Sequence, residues 1–404
     1  MKHFALSSQQ AVEQAPLQVY CSALIFAPAK SIVRKQFEDR IPGWMQKLPV
    51  VLENWGASPQ TLESHTNDVV SLAFSPNGKL LVSTSLDWTV KLWDAATGTA
   101  VKTFVGSMGW ISSVAFSPDN KLLASASEKT IRLWDATTGA ALMTLKPEGY
   151  CHNLVFSPDS KLLACDTERG PLELWDAAAG VVLKTLKGHT TYVKFIAFSP
   201  DGKLLASASG DSTVRLWNAA TGAALKTLEG HNFVVSFVAF SPDARLLASA
   251  SWDRMVRLWD PVTGRAVRTL KGHTDSVKSV AISPDGKLLA SASQDGTVKL
   301  WDAAKGATVK TIKVDSIYNL SFSSDGWFLE TDRGLLSLEG YNSPRVSPRP
   351  VFRPQVLLCG DWVVRDSKKI LWLPFEYRAV CSAFKGSVLA FAHRSGRVTF
   401  MEFN

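Results

Sequence analysis

Trp followed by Asp recurs down this chain at near-fixed intervals: Trp93-Asp94, Trp134-Asp135, Trp175-Asp176, Trp217-Asn218, Trp259-Asp260 and Trp301-Asp302, spaced by 41, 41, 42, 42 and 42 residues. The unit between successive pairs is clearest over 270–311. It reads as Lys-Gly-His273, then VKSVAI, SPDGK, LLASAS, Gln294-Asp295-Gly296, TVKLWD and ATVKTI. The four apolar runs are short and rich in branched and aliphatic residues, and Gly, Pro and Asp punctuate them, as expected of strands joined by tight turns. Each repeat therefore predicts four antiparallel strands.

Comparable units span 62–103, 104–144, 145–185, 186–227, 228–269 and 270–311. A period of about 40 to 45 residues ending in Trp-Asp marks the WD40 β-propeller, one four-stranded blade per repeat. A closed ring absorbs all 404 residues into one domain over 16–404, after a tail over 1–15. Degenerate blades are expected over 16–61, 316–338 and 356–404, giving an all-β fold of eight blades, with seven as the alternative. LQVYCSALIF and the stretch through Trp55, Thr61 and Leu62 read as strands around an amphipathic insert near 31–48, and Tyr341 to Gln355 as an exposed connection. Pairing of amino-terminal with carboxy-terminal strands is expected to close the ring and remove its open edges.

The net charge of +8 is spread by the same period. Lys79, Lys121, Lys161, Lys203, Arg245 and Lys287 follow one turn, while Lys91, Arg132, Arg215, Arg257 and Lys299 sit two residues before the Trp. One cation per blade makes a girdle rather than a patch, which argues against nucleic acid as a partner. Five scattered cysteines without a C-x-x-C pair imply neither a disulfide framework nor a zinc site. No apolar run is long enough to span a bilayer, and no signal peptide is evident, so a cytoplasmic location is expected. The absence of a phosphate loop, an H-E-x-x-H helix or an EF-hand loop predicts no cofactor and no metal.

Four units carry the same polar set: His65, Ser83, Asp87 and Trp93; His189, Ser207, Asp211 and Trp217; His231, Ser249, Asp253 and Trp259; His273, Ser291, Asp295 and Trp301. A buried His and an indole N–H need partners, which a hydroxyl and a carboxylate supply, so these predict a structural hydrogen-bond chain within each blade. Four copies beside four tryptophans do not make one Ser-His-Asp active site, and no enzyme is expected. The units over 104–144 and 145–185 depart from the scheme: Ser107 replaces the His of one, and Pro147, Cys165 and Arg169 stand at the three positions of the other.

Antiparallel order sends alternate turns to opposite faces. The SPDGK and WDAATG turns of one face barely vary, as expected of turns that only fold the blade. The other face holds the residues just after the His and around the turn Asp, and there the chain places Trp88, Trp110, Tyr150, Tyr192, Phe233 and Trp252 with Lys129, Arg169 and Arg254. Large aromatics and Arg are enriched at binding hot spots, so this face is the expected recognition surface. Packing of single rings on a neighbouring blade is the alternative.

The repeated SPDGKLLASAS and TVRLWDAATG segments resemble the propellers of fungal NACHT and WD-repeat receptors of the heterokaryon-incompatibility type. EQAPLQVYCSALIFAPAKSIVRKQF with PVVLENWGASPQTLESH, and the tail from TDRGLLSL to SGRVTFMEF, are similar to the flanks of those propellers. The resemblance implies a sensor that binds a protein, peptide or conjugated ligand through its variable face. The nucleotide-binding module expected before residue 13 is missing, so ATP-driven oligomerisation is not carried over. A constitutive scaffold of a multiprotein complex, of the signalling or mitochondrial-fission adaptor type, is the second reading.

Overall fold

The structure, a computed structural model, describes residues 22–27, 29–41, 45–47, 65–104, 109, 111–167, 170–314, 317–338, 356–359, 361–365, 368–373, 378–385 and 388–403. Eight antiparallel sheets follow one another around a ring. Blade 1 is Val69–Phe74, Leu80–Ser85, Val90–Asp94 and Ala100–Phe104, and blade 2 is Ile111–Phe116, Leu122–Ser127, Thr130–Asp135 and Ala141–Leu145. Blade 3 is Leu154–Phe156, Leu162–Asp166, Leu172–Asp176 and Val182–Leu186, and blade 4 is Val193–Phe198, Leu204–Ser209, Val214–Asn218 and Ala224–Leu228. Blade 5 is Val235–Phe240, Leu247–Ser251, Met255–Trp259 and Ala266–Lys271, and blade 6 is Val277–Ile282, Leu288–Ser293, Thr297–Asp302 and Thr308–Lys313.

The strand sequences follow their position in the blade. The second strand, LLASAS or its like, is buried almost throughout, because blades pack against both of its faces. Its alternating Ala and Ser keep the adjacent blades close, and Leu205, Leu247 and Leu289 fill the spaces between them. The fourth strand is mostly exposed, as in Ala224–Leu228, where only Leu228 is buried. It is the outer edge, and Lys102, Lys184, Lys226 and Arg268 on these strands discourage edge-to-edge pairing.

Blade 7 is larger than its repeat suggests. Leu320–Phe322, Phe328–Thr331 and Gly334–Ser337 continue through Val356–Cys359, Trp362–Arg365 and Lys368–Trp372 as one six-stranded sheet. The WVVRD and KKILW strands, expected within the last degenerate blade, belong here instead, because Gly334 pairs with Leu357. Blade 8 is Ala379–Lys385, Val388–His393 and Val398–Phe403, completed by Met45–Lys47, with Met45 opposite Phe403. The ring thus closes by the expected amino-to-carboxy pairing.

The amino-terminal elements differ from their expected form. Within LQVYCSALIF, Ser22–Phe26 is a helix, α1, and a second helix, α2, runs over Ile32–Gln36. The closing strand comes from the expected insert, so no sheet edge is left for SALIF to join. Leu24, Ile25 and Phe26 are buried in succession, and Ile25, Phe26 and Met45 share a core with Phe328, Leu371, Phe384 and Met401 of blades 7 and 8. Arg34 donates from Nη1 to the Ile25 and Ala27 carbonyl oxygens at 2.9 and 2.7 Å, satisfying groups at the end of α1. Trp55, Thr61, Leu62 and the 341–355 connection lie outside the described residues.

Candidate functional site

In the structure the repeated polar sets lie in hydrogen-bond contact within each blade. Ser249 Oγ lies 2.7 Å from His231 Nε2 and accepts from Trp259 Nε1 at 2.8 Å, and Asp253 Oδ2 lies 2.8 Å from His231 Nδ1. The same contacts join His189, Ser207, Asp211 and Trp217, and His273, Ser291, Asp295 and Trp301, at 2.7 to 2.9 Å. In blade 1, Ser83 Oγ meets His65 Nε2 and Trp93 Nε1 at 2.7 Å, and Asp87 Oδ2 meets His65 Nδ1 at 3.1 Å. Each hydroxyl is fully buried between an imidazole and an indole.

The Asp of each chain also fixes the loop that follows the His. Asp87 Oδ2 accepts the Thr66 N–H, Asp211 the Thr190 N–H, Asp253 the Asn232 N–H and Asp295 the Thr274 N–H. Burial opposes ionisation of Asp295, yet hydrogen bonds from the Thr297 hydroxyl, the Thr274 N–H and His273 outweigh it and hold its pKa at about 2. The loop before the inner strand is thereby tied to the turn between the second and third strands. Backbone bonds reinforce the tie, such as Trp252 N–H to the Val234 carbonyl at 2.9 Å.

On the opposite face, the SPDGK and Trp-Asp turns are joined instead, Ala95 N–H to Lys79 carbonyl at 2.9 Å, with counterparts in blades 2, 3, 4 and 6. The Asp of the Trp-Asp pair accepts the turn N–H groups, and Asn218 does so equally well, from Ala220 and Thr221 at 3.0 and 2.8 Å. The cations of this face pair locally, Lys203 with Asp201 and Lys287 with Asp285 at 3.5 Å. Arg132 and Arg257 lie over the rings of Trp134 and Trp259 at 5.8 and 6.0 Å, so that part of the girdle is packing.

Five of the six expected rings fall among the described residues, all in loops of the first face. Trp88 is 52% exposed and Phe233 56%, and Tyr150 and Tyr192 are exposed as well. Trp252 is half-buried: Phe233 stacks on it at 6.3 Å and the Lys278 ammonium sits 4.7 Å over its ring, while its Nε1 is enclosed with no acceptor among the described residues. Tyr192 lies against Gly210, whose added Cβ would come within 3.0 Å of the ring. Lys129 and Arg254 are exposed. Trp110 and Arg169 lie outside the described residues, as does Ser107.

Other residues of this face escaped the sequence reading. Lys194 and Lys278 are the second residues of their inner strands, hidden in runs that read as ordinary strand, and Tyr318, 56% exposed, holds the same place in blade 7. A cavity of about 250 Å³ opens beside Tyr318, lined also by Val70, Asp332, Arg333, Val380 and Ser382. Without a His, blades 3 and 7 clamp this end differently. Asp166 Oδ1 accepts the His152 and Asn153 N–H groups at 2.8 and 2.7 Å, and Asp332 Oδ1 those of Tyr318 and Asn319 at 3.1 and 3.2 Å. Burial raises the pKa of both carboxyls against these bonds.

Eight antiparallel blades, the Trp-Asp turns and the His-Ser-Trp chains define a WD40-repeat β-propeller, a fold that binds proteins. The family model of the WD domain, G-beta repeat, matches residues 56–94, 98–135, 180–218, 222–260 and 264–302. The Trp175-Asp176 pair of blade 3 falls between two of these matches. Among curated proteins, the vegetative incompatibility protein HET-E-1 of Podospora anserina, a NACHT and WD-repeat protein, is 49% identical over 96 residues, 24% of this chain and 7% of its own length. Protein hir-1 of Neurospora crassa is 38% identical over 80 residues, 20% of this chain and 8% of its own. The nuclear distribution protein PAC1 of Coccidioides posadasii is 36% identical over 77 residues, 17% and 16%. The matches thus span under a fifth of these relatives. Among the described residues no helix is long and apolar enough to cross a membrane, and no cluster of His, Cys, Asp or Glu is placed to hold a metal.

Proposed function

We propose that this chain is a non-catalytic recognition propeller of the cytoplasm, capturing a protein, peptide or conjugated ligand on the face that carries Trp88, Tyr150, Tyr192, Phe233 and Trp252, as the sensing propeller of a NACHT and WD-repeat receptor would. The observation that carries this reading is where bulky residues sit. Trp88 and Arg254 occupy the turn position with φ of 65° and 70°, the place that Gly296 fills in blade 6 at 75°. A side chain in the left-handed region costs about 1 to 2 kcal/mol over glycine's freedom there. Retaining Trp and Arg at such a cost suits a surface selected for contact.

The reading predicts where a partner touches. A photoreactive phenylalanine analogue placed at Phe233 is expected to cross-link the partner, and one at Val262, 80% exposed on the opposite face, is not. Replacing Trp88, Trp110, Tyr192 and Trp252 together by Ala is expected to abolish capture, each anchor contributing about 2 kcal/mol. Undiminished capture by a folded variant rejects the reading and leaves the scaffold alternative, in which contacts follow the rim or the carboxy-terminal third.

A further inference from the structure

The inner strands of all eight blades begin around the mouth of the central channel, and the residues at the equivalent position, the second of the strand except in blades 3 and 7, where it lies two residues before the strand, form its rim in this order: Val70, Ser112, His152, Lys194, Ser236, Lys278, Tyr318 and Val380. The rim is sharply divided. Tyr318, Val380 and Val70 are exposed and largely apolar, whereas blades 4 and 6 present Lys194 and Lys278, and no rim position is acidic.

Ser236 holds the equivalent position on blade 5, between the blades that carry the two lysines. Its side chain is small and buried, and its hydroxyl is turned into the wall, donating to the Ala250 and Val277 carbonyls at 3.1 and 2.6 Å. Neither lysine has a hydrogen bond or ion pair among the described residues. Lys278 is held by the Trp252 ring at 4.7 Å, which orients its ammonium without neutralising it. Partial burial and repulsion from Lys194 both work against its charge, and Asp275, whose Oδ1 already accepts the Ser276 N–H at 2.6 Å, only partly offsets them. Two cations that repel each other across a gap, one of them already partly desolvated, gain most from an anion placed between them.

We propose that Lys194 and Lys278 form an anion seat for the carboxylate of an acidic peptide segment, with an apolar neighbour of that carboxylate resting on Phe233 and Trp252. The proposal rests on the recognition-face reading and specifies its ligand as an acidic and apolar peptide. The rings adjoin the seat directly, since Trp252 touches both Phe233 and Lys278. Charge and apolar surface are thus offered side by side, as an alternation of Glu and Phe would require.

The test uses two fluorescein-labelled decapeptides, one alternating Glu with Phe and one alternating Gln with Phe, titrated against the full chain by fluorescence anisotropy. The acidic peptide is expected to bind at least about 10-fold more tightly at low salt, with the advantage shrinking as salt rises. The K194Q/K278Q variant is expected to lose that advantage. K203Q/K287Q, which removes the same charge from the opposite face, is expected to keep it, which separates a seat from the general attraction of a basic protein. Equal binding of the two peptides, or an unchanged advantage in K194Q/K278Q, overturns the proposal. The recognition face is judged separately by the cross-link at Phe233, so a failed seat beside a positive cross-link leaves that face standing with a different ligand.

Discussion

At the scale of single residues, one serine hydroxyl per blade decides much of the chemistry. Ser83, Ser207, Ser249 and Ser291 each join an imidazole to an indole, and the Asp beyond the imidazole reaches the backbone of the loop that follows the His. The linkage makes the loops sensitive to acid. The pKa of His273 is lowered from 6.5, mainly by burial, so its neutral form favours the fold, and that contribution is lost as pH falls through 6.5, where the unfolded chain takes up the proton first. Asp295, lowered from 3.8 to about 2, contributes above 3.8 and loses that contribution as pH falls toward 2. Asp166 and Asp332 act oppositely, because burial raises them and their ionisation cost vanishes on acidification. The lowered His273 and the lowered Asp87, Asp211, Asp253 and Asp295, set against the raised Asp166, Asp332 and Glu173, predict that urea midpoints decline from pH 7.5 to 5 and again to 3, and that D295N removes part of the second decline. A midpoint that rises between pH 7.5 and 5 contradicts this account.

At the scale of the blade, the same chain distinguishes strong from weak units. Blades 1, 4, 5 and 6 have it complete, blade 2 shows, among the described residues, the Trp134 to Ser125 bond at 3.0 Å, and in blade 3 Cys165 stands in place of the serine. A buried hydrogen bond left unmade costs about 1 to 3 kcal/mol, so local opening is easier where the chain is broken. Hydrogen exchange is therefore expected to be at least about 10-fold faster in 104–185 than in 186–311, and uniform protection would argue against it. The repeat pattern made this contrast legible in the residues themselves. Their compensation was not, because the Asp166 and Asp332 clamps replace an Ala of the regular second strand and read there as drift.

At the scale of the whole molecule, stability depends on closing the ring. Met45–Lys47 supplies the fourth strand of blade 8, and Met45 is buried among residues of blades 7 and 8. Met45→Asp places a carboxylate in that core and is expected to cost about 3 kcal/mol or more. Faster exchange along Val398–Phe403, the partner strand, is the accompanying signature. Loss of stability without deprotection there would mean that the ring is held closed by something other than this pairing.

The sequence by itself determined the blade, its four strands, the polar chain and the division between uniform and variable turns, because each follows from a periodicity local to about 42 residues. The identity of the closing strand and the allotment of 356–372 to blade 7 were decided only by tertiary structure, since pairing between distant segments depends on which edge remains open. The same holds for the face proposed to bind a partner. Trp88 and Phe233 stand out as aromatics in turns, but Lys194 and Lys278 belong to strands two blades apart and come within electrostatic range of each other only at the mouth of a closed ring.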